Sequence, residues 1–140
     1  MPNQGPIIIV EDDDEDQEIL REVFLSLNIP NELIFFENGL KVLEYLRSTP
    51  EQPFLILTDM NLPIMGGIQL REEIYKDEQL RKKSVPYVFL STSADMHAVK
   101  KAYSMQVQGF FQKESSFAAI QKLIKMIYDY WSVCRHPNSL

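Results

Sequence analysis

The stretch IIIVEDDDED, from Ile7 to Asp16, places four apolar residues directly before six acidic ones. An unbroken apolar run is typical of a strand that is buried on both faces, as strands of a parallel sheet are. Acidic residues that follow it are favoured in the first turn of a helix, where they interact with the helix dipole. The stretch therefore predicts a buried strand that leads into a helix, which is how an α/β domain begins.

The rest of the chain repeats this alternation of strand and helix patterns. Further short apolar runs are each followed by a segment with helical periodicity, so we predict a (βα)5 domain. Right-handed crossovers favour the flavodoxin-like, doubly wound parallel sheet with strand order 2-1-3-4-5. The predicted strands are Pro6 to Val10, Leu33 to Phe36, Phe54 to Leu57, Tyr87 to Leu90 and Gly109 to Phe111.

Composition limits the classes of protein to consider. The 140 residues are 45% hydrophobic, which fits one domain over 1–140 with a core at about 6–131 and no output domain after it. The net charge of −6 disfavours a nucleic-acid surface. No apolar run could cross a bilayer and no signal peptide begins the chain, so we expect no membrane contact and a cytoplasmic location. The single cysteine, Cys134, lacks the spacing of a metal site.

Polar side chains stand at the ends of four of the predicted strands. Parallel strands end at the same edge of a sheet, and ligands of this fold bind where the first and third strands end. Three carboxylates meeting there would repel one another, and a hard divalent cation such as Mg²⁺ would offset the repulsion. The residues are Glu11 and Asp12 after the first strand, Thr58 and Asp59 after the third, Ser91 after the fourth and Lys113 after the fifth.

Each of these residues has a structural explanation when it is taken alone. The acidic run fits a solvated helix start, in which Asp13 to Asp16 cap and charge the first helix. Asp59 could cap a turn, Ser91 could cap a helix, and Lys113 could be a solvated surface charge. Only their joint placement at one edge favours a functional site.

With these residues in place, the chain resembles the receiver domain of bacterial two-component response regulators, the chemotaxis-regulator-like family. The resemblance extends from about Pro6 to Trp131. Its motifs are IIIVEDD with the acidic pair, LILTDMNLPIMGG with the D-x-x-x-P-x-x-G pattern, PYVFLSTSAD with the hydroxyl after the fourth strand, and GFFQK with an aromatic residue and a lysine.

The resemblance implies a phosphorylated aspartate. Asp59 would accept a phosphoryl group from a histidine kinase or a histidine phosphotransfer protein, as a carboxylate nucleophile. Asp12, Asp59 and the backbone carbonyl of Asn61 would bind Mg²⁺, with Glu11 acting through a water molecule. Lys113 and the metal ion would neutralise charge on the phosphoryl oxygens.

The resemblance also implies a conformational switch. Ser91 would turn its hydroxyl onto the phosphoryl group, and Phe110 would move inward to remodel a protein-binding surface. Many members of the family carry Tyr in place of Phe110; the phenylalanine has no hydroxyl to desolvate, which favours its inward position. Thr92 would narrow access to the site, and Asn61 and Ser93 would tune hydrolysis.

Two positions depart from the family pattern. Glu114 follows Lys113 where the family usually has a proline after a cis peptide, so we predict a trans peptide here. At Met65 to Gly67, MGG replaces the usual acidic residue before the glycine, which would loosen that turn.

The resemblance implies a signalling module and not an enzyme, and three other readings compete with it. A degenerate receiver would bind a partner without phosphorylation. A Mg²⁺-dependent phosphatase of the haloacid-dehalogenase type would carry its nucleophile after the first strand, and a flavodoxin-like cofactor binder would need a phosphate cradle where this chain is acidic. The downstream protein target is not identified by the sequence, which also leaves a homodimer open.

Overall fold

A computed structural model of the chain describes residues 5–92 and 96–133. Within them, five parallel strands form one sheet in the order β2-β1-β3-β4-β5, as predicted. The elements are β1 (Ile7–Val10), α1 (Asp14–Ser26), β2 (Leu33–Phe36), α2 (Gly39–Ser48), β3 (Leu55–Thr58), α3 (Gly67–Lys76), α4 (Glu78–Lys83), β4 (Tyr87–Ser91), α5 (Met96–Ser104), β5 (Gly109–Gln112) and α6 (Phe117–Val133).

Helices cover both faces of the sheet, which explains why its central strands are apolar throughout. Successive side chains of a strand point to opposite faces. Ile8 and Val10 of β1 pack with buried residues of α2, α3, α4 and α5. Ile7 and Ile9 pack on the other face with buried residues of α1 and α6. The three central strands, β1, β3 and β4, are buried along their whole length.

The structure has one helix that the sequence pattern did not predict, α4. Its six residues include a single buried one, Leu80, so it has no apolar periodicity to detect. Asp77 begins the helix, since its Oδ1 accepts hydrogen bonds from the backbone N–H groups of Gln79 and Leu80. A side-chain cap of this kind satisfies donors that have no partner within the helix.

Two further expectations concern a membrane span and positions that the structure does not describe. No helix within residues 5–92 and 96–133 has both the length and the apolar character needed to span a membrane. The predictions for Cys134 and for Ser93 concern positions outside the described residues.

The loop from β3 to α3 contains a strained residue, Ile64. Its φ is 66°, in the left-handed region, and its side chain is 76% exposed. For a residue with a Cβ, this conformation is less stable than the right-handed one by roughly 1–2 kcal/mol. A β-branched side chain is especially unfavourable there. The loop therefore stores local strain next to the carboxyl edge of the sheet.

We expect Ile64→Asn to raise the free energy of unfolding by about 1 kcal/mol, because asparagine tolerates the left-handed conformation. Urea denaturation measures the change. Ile64→Val is the matched control, since it stays β-branched and keeps the strain. An asparagine variant no more stable than the valine variant contradicts the prediction.

Candidate functional site

Hydrogen bonds of the sheet continue past the strand ends and hold the polar residues in place. The backbone N–H of Glu11 donates to the last carbonyl of β2 at 2.9 Å. The N–H of Asp59 donates to the carbonyl of Val10 at 3.1 Å, and that of Lys113 to the carbonyl of Ser91 at 2.8 Å. The backbones of Glu11, Asp59 and Lys113 are therefore carried by the rigid sheet at its carboxyl edge.

Asp59 lies half-buried directly after β3. Its Oδ1 accepts a hydrogen bond from the hydroxyl of Ser91 at 3.0 Å and a longer one from the N–H of Asn61 at 3.3 Å. Both bonds end on the same oxygen, so within residues 5–92 and 96–133 Oδ2 remains for another ligand. The pairing of Asp59 with Ser91 joins the ends of two neighbouring strands, β3 and β4.

Gly67 lets α3 begin close to Asp59. A Cβ at this position would lie 2.5 Å from the carbonyl oxygen of Asp59 and 2.5 Å from Cε1 of Phe89. Both distances are far inside van der Waals contact, so a larger residue would displace the loop that carries Asp59. The second glycine of MGG is therefore required by close packing.

Lys113 takes two carboxylate partners at this edge. Its Nζ donates to Oε1 of Glu11 and, at 2.9 Å, to Oδ2 of Asp16. The side chains of Lys113 and Glu11 are only 9% and 5% exposed, whereas that of Asp16 is 40% exposed. A buried ammonium group needs such partners, because burial without them is strongly unfavourable.

The pKa values of Glu11 and Lys113, the two buried members of this cluster, are both raised. Burial raises the pKa of Glu11, and the hydrogen bond and charge of Lys113 offset this only in part; the charge of Asp59 raises it further. Burial by itself would lower the pKa of Lys113, but its hydrogen bonds to Glu11 and Asp16 outweigh burial and leave that pKa raised. Lys113 is thus a cation at neutral pH.

The carboxylates do not form a complete set of metal ligands. Among the described residues, no group of three or more His, Cys, Asp or Glu side chains is arranged to hold a metal ion. Glu11 is turned toward Lys113 and accepts the N–H of Asp13 at 3.1 Å, while Asp12 is exposed. Mg²⁺ characteristically takes one or two carboxylates and keeps several waters, so Asp12, Oδ2 of Asp59 and a backbone carbonyl fit its donor preference.

The remaining predicted residues surround this centre. Phe110 is half-buried and its ring lies 5.5 Å from that of Phe89, between ring centroids. Thr92 is exposed. The peptide between Lys113 and Glu114 is trans, as predicted, because the described chain contains no cis peptide.

Sequence reasoning did not connect Asp16 with the site. It predicted that this acidic segment caps and charges the first helix, and Asp13 does so by accepting the N–H of Asp16 at 3.0 Å. The side chain of Asp16 instead reaches Lys113. The available signal was helical spacing: Asp16 lies four residues before Leu20, which is buried, so the two share the inward face of α1.

Comparison with known proteins gives consistent matches. The sequence model described as the response regulator receiver domain matches residues 7–125. The chain is 30% identical over 130 residues to the response regulator Rcp1 of Synechocystis sp., covering 89% of this chain and 87% of that protein. It is 26% identical over 123 residues to the chemotaxis protein CheY-3 of Vibrio cholerae, covering 88% and 91%.

Solved structures of the same kind superpose on the whole fold. The phosphorylated cyanobacterial phytochrome response regulator RcpA gives a TM-score of 0.86 at 27% identity, covering 96% of this chain and 99% of that chain. The Mn²⁺-bound form of the response regulator Rcp1 gives a TM-score of 0.82 at 28% identity, covering 95% and 99%.

Proposed function

The chain belongs to the response regulator receiver family, and on this premise we propose that it is a phosphorylation-controlled signalling module. Asp59 accepts a phosphoryl group from a histidine kinase or a histidine phosphotransfer protein, in a Mg²⁺-dependent reaction. The observation that carries the proposal is the position of Asp59, which is accessible at the switch point of the sheet and hydrogen-bonded to Ser91 at 3.0 Å.

The chain's own groups account for the transfer step. A carboxylate oxygen of Asp59 attacks the phosphorus of the donor phosphohistidine; the new P–O bond forms as the P–N bond breaks, and the electron pair leaves on the imidazole nitrogen. The product is an acyl phosphate. Phosphoryl transfer depends mainly on positioning and on neutralising charge, which the sheet edge and Lys113 supply.

We assign the divalent cation to Asp12, Asp59 and the backbone carbonyl of Asn61, with Glu11 reaching it through water. Rcp1, a relative of this chain, has been solved in a Mn²⁺-bound form, which supports a divalent site here. We propose Mg²⁺ because the donors are all hard oxygens. When bound, the ion supplies positive charge to the phosphoryl oxygens and to the crowded carboxylates.

The conformational response is assigned to Ser91 and Phe110. A phosphoryl group on Asp59 competes for the hydroxyl of Ser91, which now donates to the Asp59 carboxylate. Phe110 packs half-buried against Phe89 and borders the cluster that includes α5, so an inward shift of its ring would change the surface of α5 and β5. Phosphorylation would select this packing through differential contacts.

A second candidate function is a binding module that works without phosphorylation. It is favoured by one observation: Lys113 donates to Glu11 and Asp16 and not to Asp59 within the described residues. Such a module would keep its partner affinity unchanged when Asp59 is modified or replaced.

The deciding experiment is intact-mass analysis of the chain incubated with acetyl phosphate, with and without Mg²⁺, followed by peptide mapping. We expect the added mass of one phosphoryl group, only with the metal ion present, and located on Asp59. Absence of labelling over a range of Mg²⁺ and donor concentrations would favour the binding module. Labelling on another residue would reject the assignment of Asp59.

We expect Asp12→Asn to weaken Mg²⁺ binding by about tenfold, because it replaces an anionic ligand with a neutral one. Backbone NMR shifts followed during a Mg²⁺ titration give the affinity. Asp14→Asn is the matched control, since it removes the same charge from an exposed position two residues along. Equal affinities for the two variants would remove Asp12 from the metal site.

A further inference from the structure

We propose that Asp16 is a positioning residue for Lys113, which it binds in the resting chain and releases when a phosphoryl group forms on Asp59. The inference rests on the proposed function and adds to it a second acidic partner of Lys113. Asp16 lies in α1, whereas Glu11 follows β1. It makes the first turn of α1 part of the control of phosphoryl transfer.

The contact links three elements at the carboxyl edge. Lys113 follows β5, Glu11 follows β1, and Asp16 lies in the first turn of α1. The ammonium group of Lys113 donates to both carboxylates, at 2.9 Å in the case of Asp16. In this arrangement the lysine is held by groups other than the proposed phosphoryl acceptor, so it must reorient before it can contact a phosphoryl oxygen.

Two cavities border the lysine, one on the side of Asp16 and one on the side of Asp59. A cavity of about 250 Å³ is lined by Lys113 together with Asp16 and apolar residues of α1 and α6. A much smaller one, of about 10 Å³, is lined by Lys113 together with Glu11 and Asp59. The side chain of Lys113 therefore already lines the same small gap as Asp59, and the open volume beside it on the Asp16 side leaves it room to reorient.

The two carboxylates differ in how easily they release the lysine. Glu11 is only 5% exposed and would be left as a buried anion, whereas Asp16 is 40% exposed and regains water when the contact breaks. Partly exposed ion pairs contribute little free energy, because solvent screens them. A phosphoryl group carries more negative charge than one carboxylate, so it can draw Lys113 away from Asp16.

The consequence is a restraint on the reaction rate. The contact between Asp16 and Lys113 stabilises the resting chain and is absent when Lys113 neutralises the transferring phosphoryl group. An interaction made only in the ground state raises the barrier of the chemical step. Asp16 thus slows phosphorylation while it stabilises the unmodified fold, and these two effects have opposite signs when the residue is replaced.

The test compares labelling rates with acetyl phosphate and Mg²⁺. In this reaction a carboxylate oxygen of Asp59 attacks phosphorus, the P–O bond to the acetyl group breaks, and acetate leaves with the electron pair. We expect Asp16→Asn to label about three to five times faster than the original chain, as breaking a partly exposed ion pair allows. Asp14→Asn, which removes one charge from the same turn without contacting Lys113, controls for general electrostatics.

Two further variants separate positioning from a merely structural role. Asp16→Glu keeps a carboxylate that can reach the ammonium group, so it should restore the slower rate. In a Lys113→Gln background, Asp16→Asn should no longer change the rate, because the group it restrains is gone. Urea denaturation should show a small loss of stability for Asp16→Asn, opposite in direction to its gain in rate.

Each outcome decides one point. If the original chain labels on Asp59 but Asp16→Asn and Asp14→Asn label equally fast, the role of Asp16 is rejected and the proposed function stands. An acceleration that persists in the Lys113→Gln background also rejects it, since the effect would not pass through the lysine. If the original chain does not label, the proposed function fails and this inference fails with it.

Discussion

We expect Asp59→Asn to abolish phosphoryl labelling by acetyl phosphate or a histidine-kinase donor, with the fold kept. The amide oxygen of asparagine is a poor nucleophile, so no acyl phosphate can form. The same oxygen can still accept the hydrogen bond that Ser91 now donates to Asp59 at 3.0 Å, which preserves the local geometry. Intact mass measures the labelling, and thermal unfolding checks the fold.

The matched control for this variant is Asp129→Asn, which removes an exposed carboxylate of α6 that pairs only with Lys125 among the described residues. It should label to the same extent as the original chain. The Asp59 variant should also be slightly more stable, because the charge of Asp59 opposes the ionisation of Glu11 nearby. Full labelling of Asp59→Asn would mean that the phosphoryl acceptor is another residue.

Lys113→Ala has the second large effect, which is both structural and functional. It leaves Glu11, with a side chain only 5% exposed, as a buried carboxylate without its cation. Removing one partner of a buried ion pair lowers the free energy of unfolding by about 3 kcal/mol. We expect labelling of Asp59 to persist and the proposed shift of Phe110 to be blunted, because the variant has no ammonium group to contact the phosphoryl group.

Urea denaturation and NMR of the aromatic rings, with and without beryllofluoride, measure these two effects. Lys122→Ala is the control, because it truncates an exposed lysine of α6 that is not part of the candidate site. It should leave both stability and the response to beryllofluoride unchanged. A Lys113→Ala variant with the original stability and a full response would exclude the lysine from both roles.

The residues that follow β1 and β3 illustrate why most of the site could be predicted. Buried parallel strands must be apolar on both faces, so their ends are visible as the points where polar residues begin. Once the order 2-1-3-4-5 is given, the ends of β1 and β3 are neighbours about 4.8 Å apart. The sequence alone therefore predicts that Glu11 and Asp59 lie close together.

The helix α4 and the strain at Ile64 illustrate what sequence patterns miss. Six residues with one buried leucine carry no periodicity, so α4 depends on its cap at Asp77 and on packing against α3, the helix before it. A positive φ at an isoleucine runs against its intrinsic preference, and only the path of the loop from β3 to α3 imposes it.

The amino-acid sequence by itself determined the family, the strand order and the set of polar groups at the carboxyl edge, because apolar runs and their ends are local properties of the chain. Only the tertiary structure decided which carboxylates hold Lys113. Asp16 and Lys113 are 97 residues apart, and their contact depends on how the first turn of α1 packs beside the end of β5. Distances of that kind follow from the packing of whole elements, which no short sequence pattern encodes.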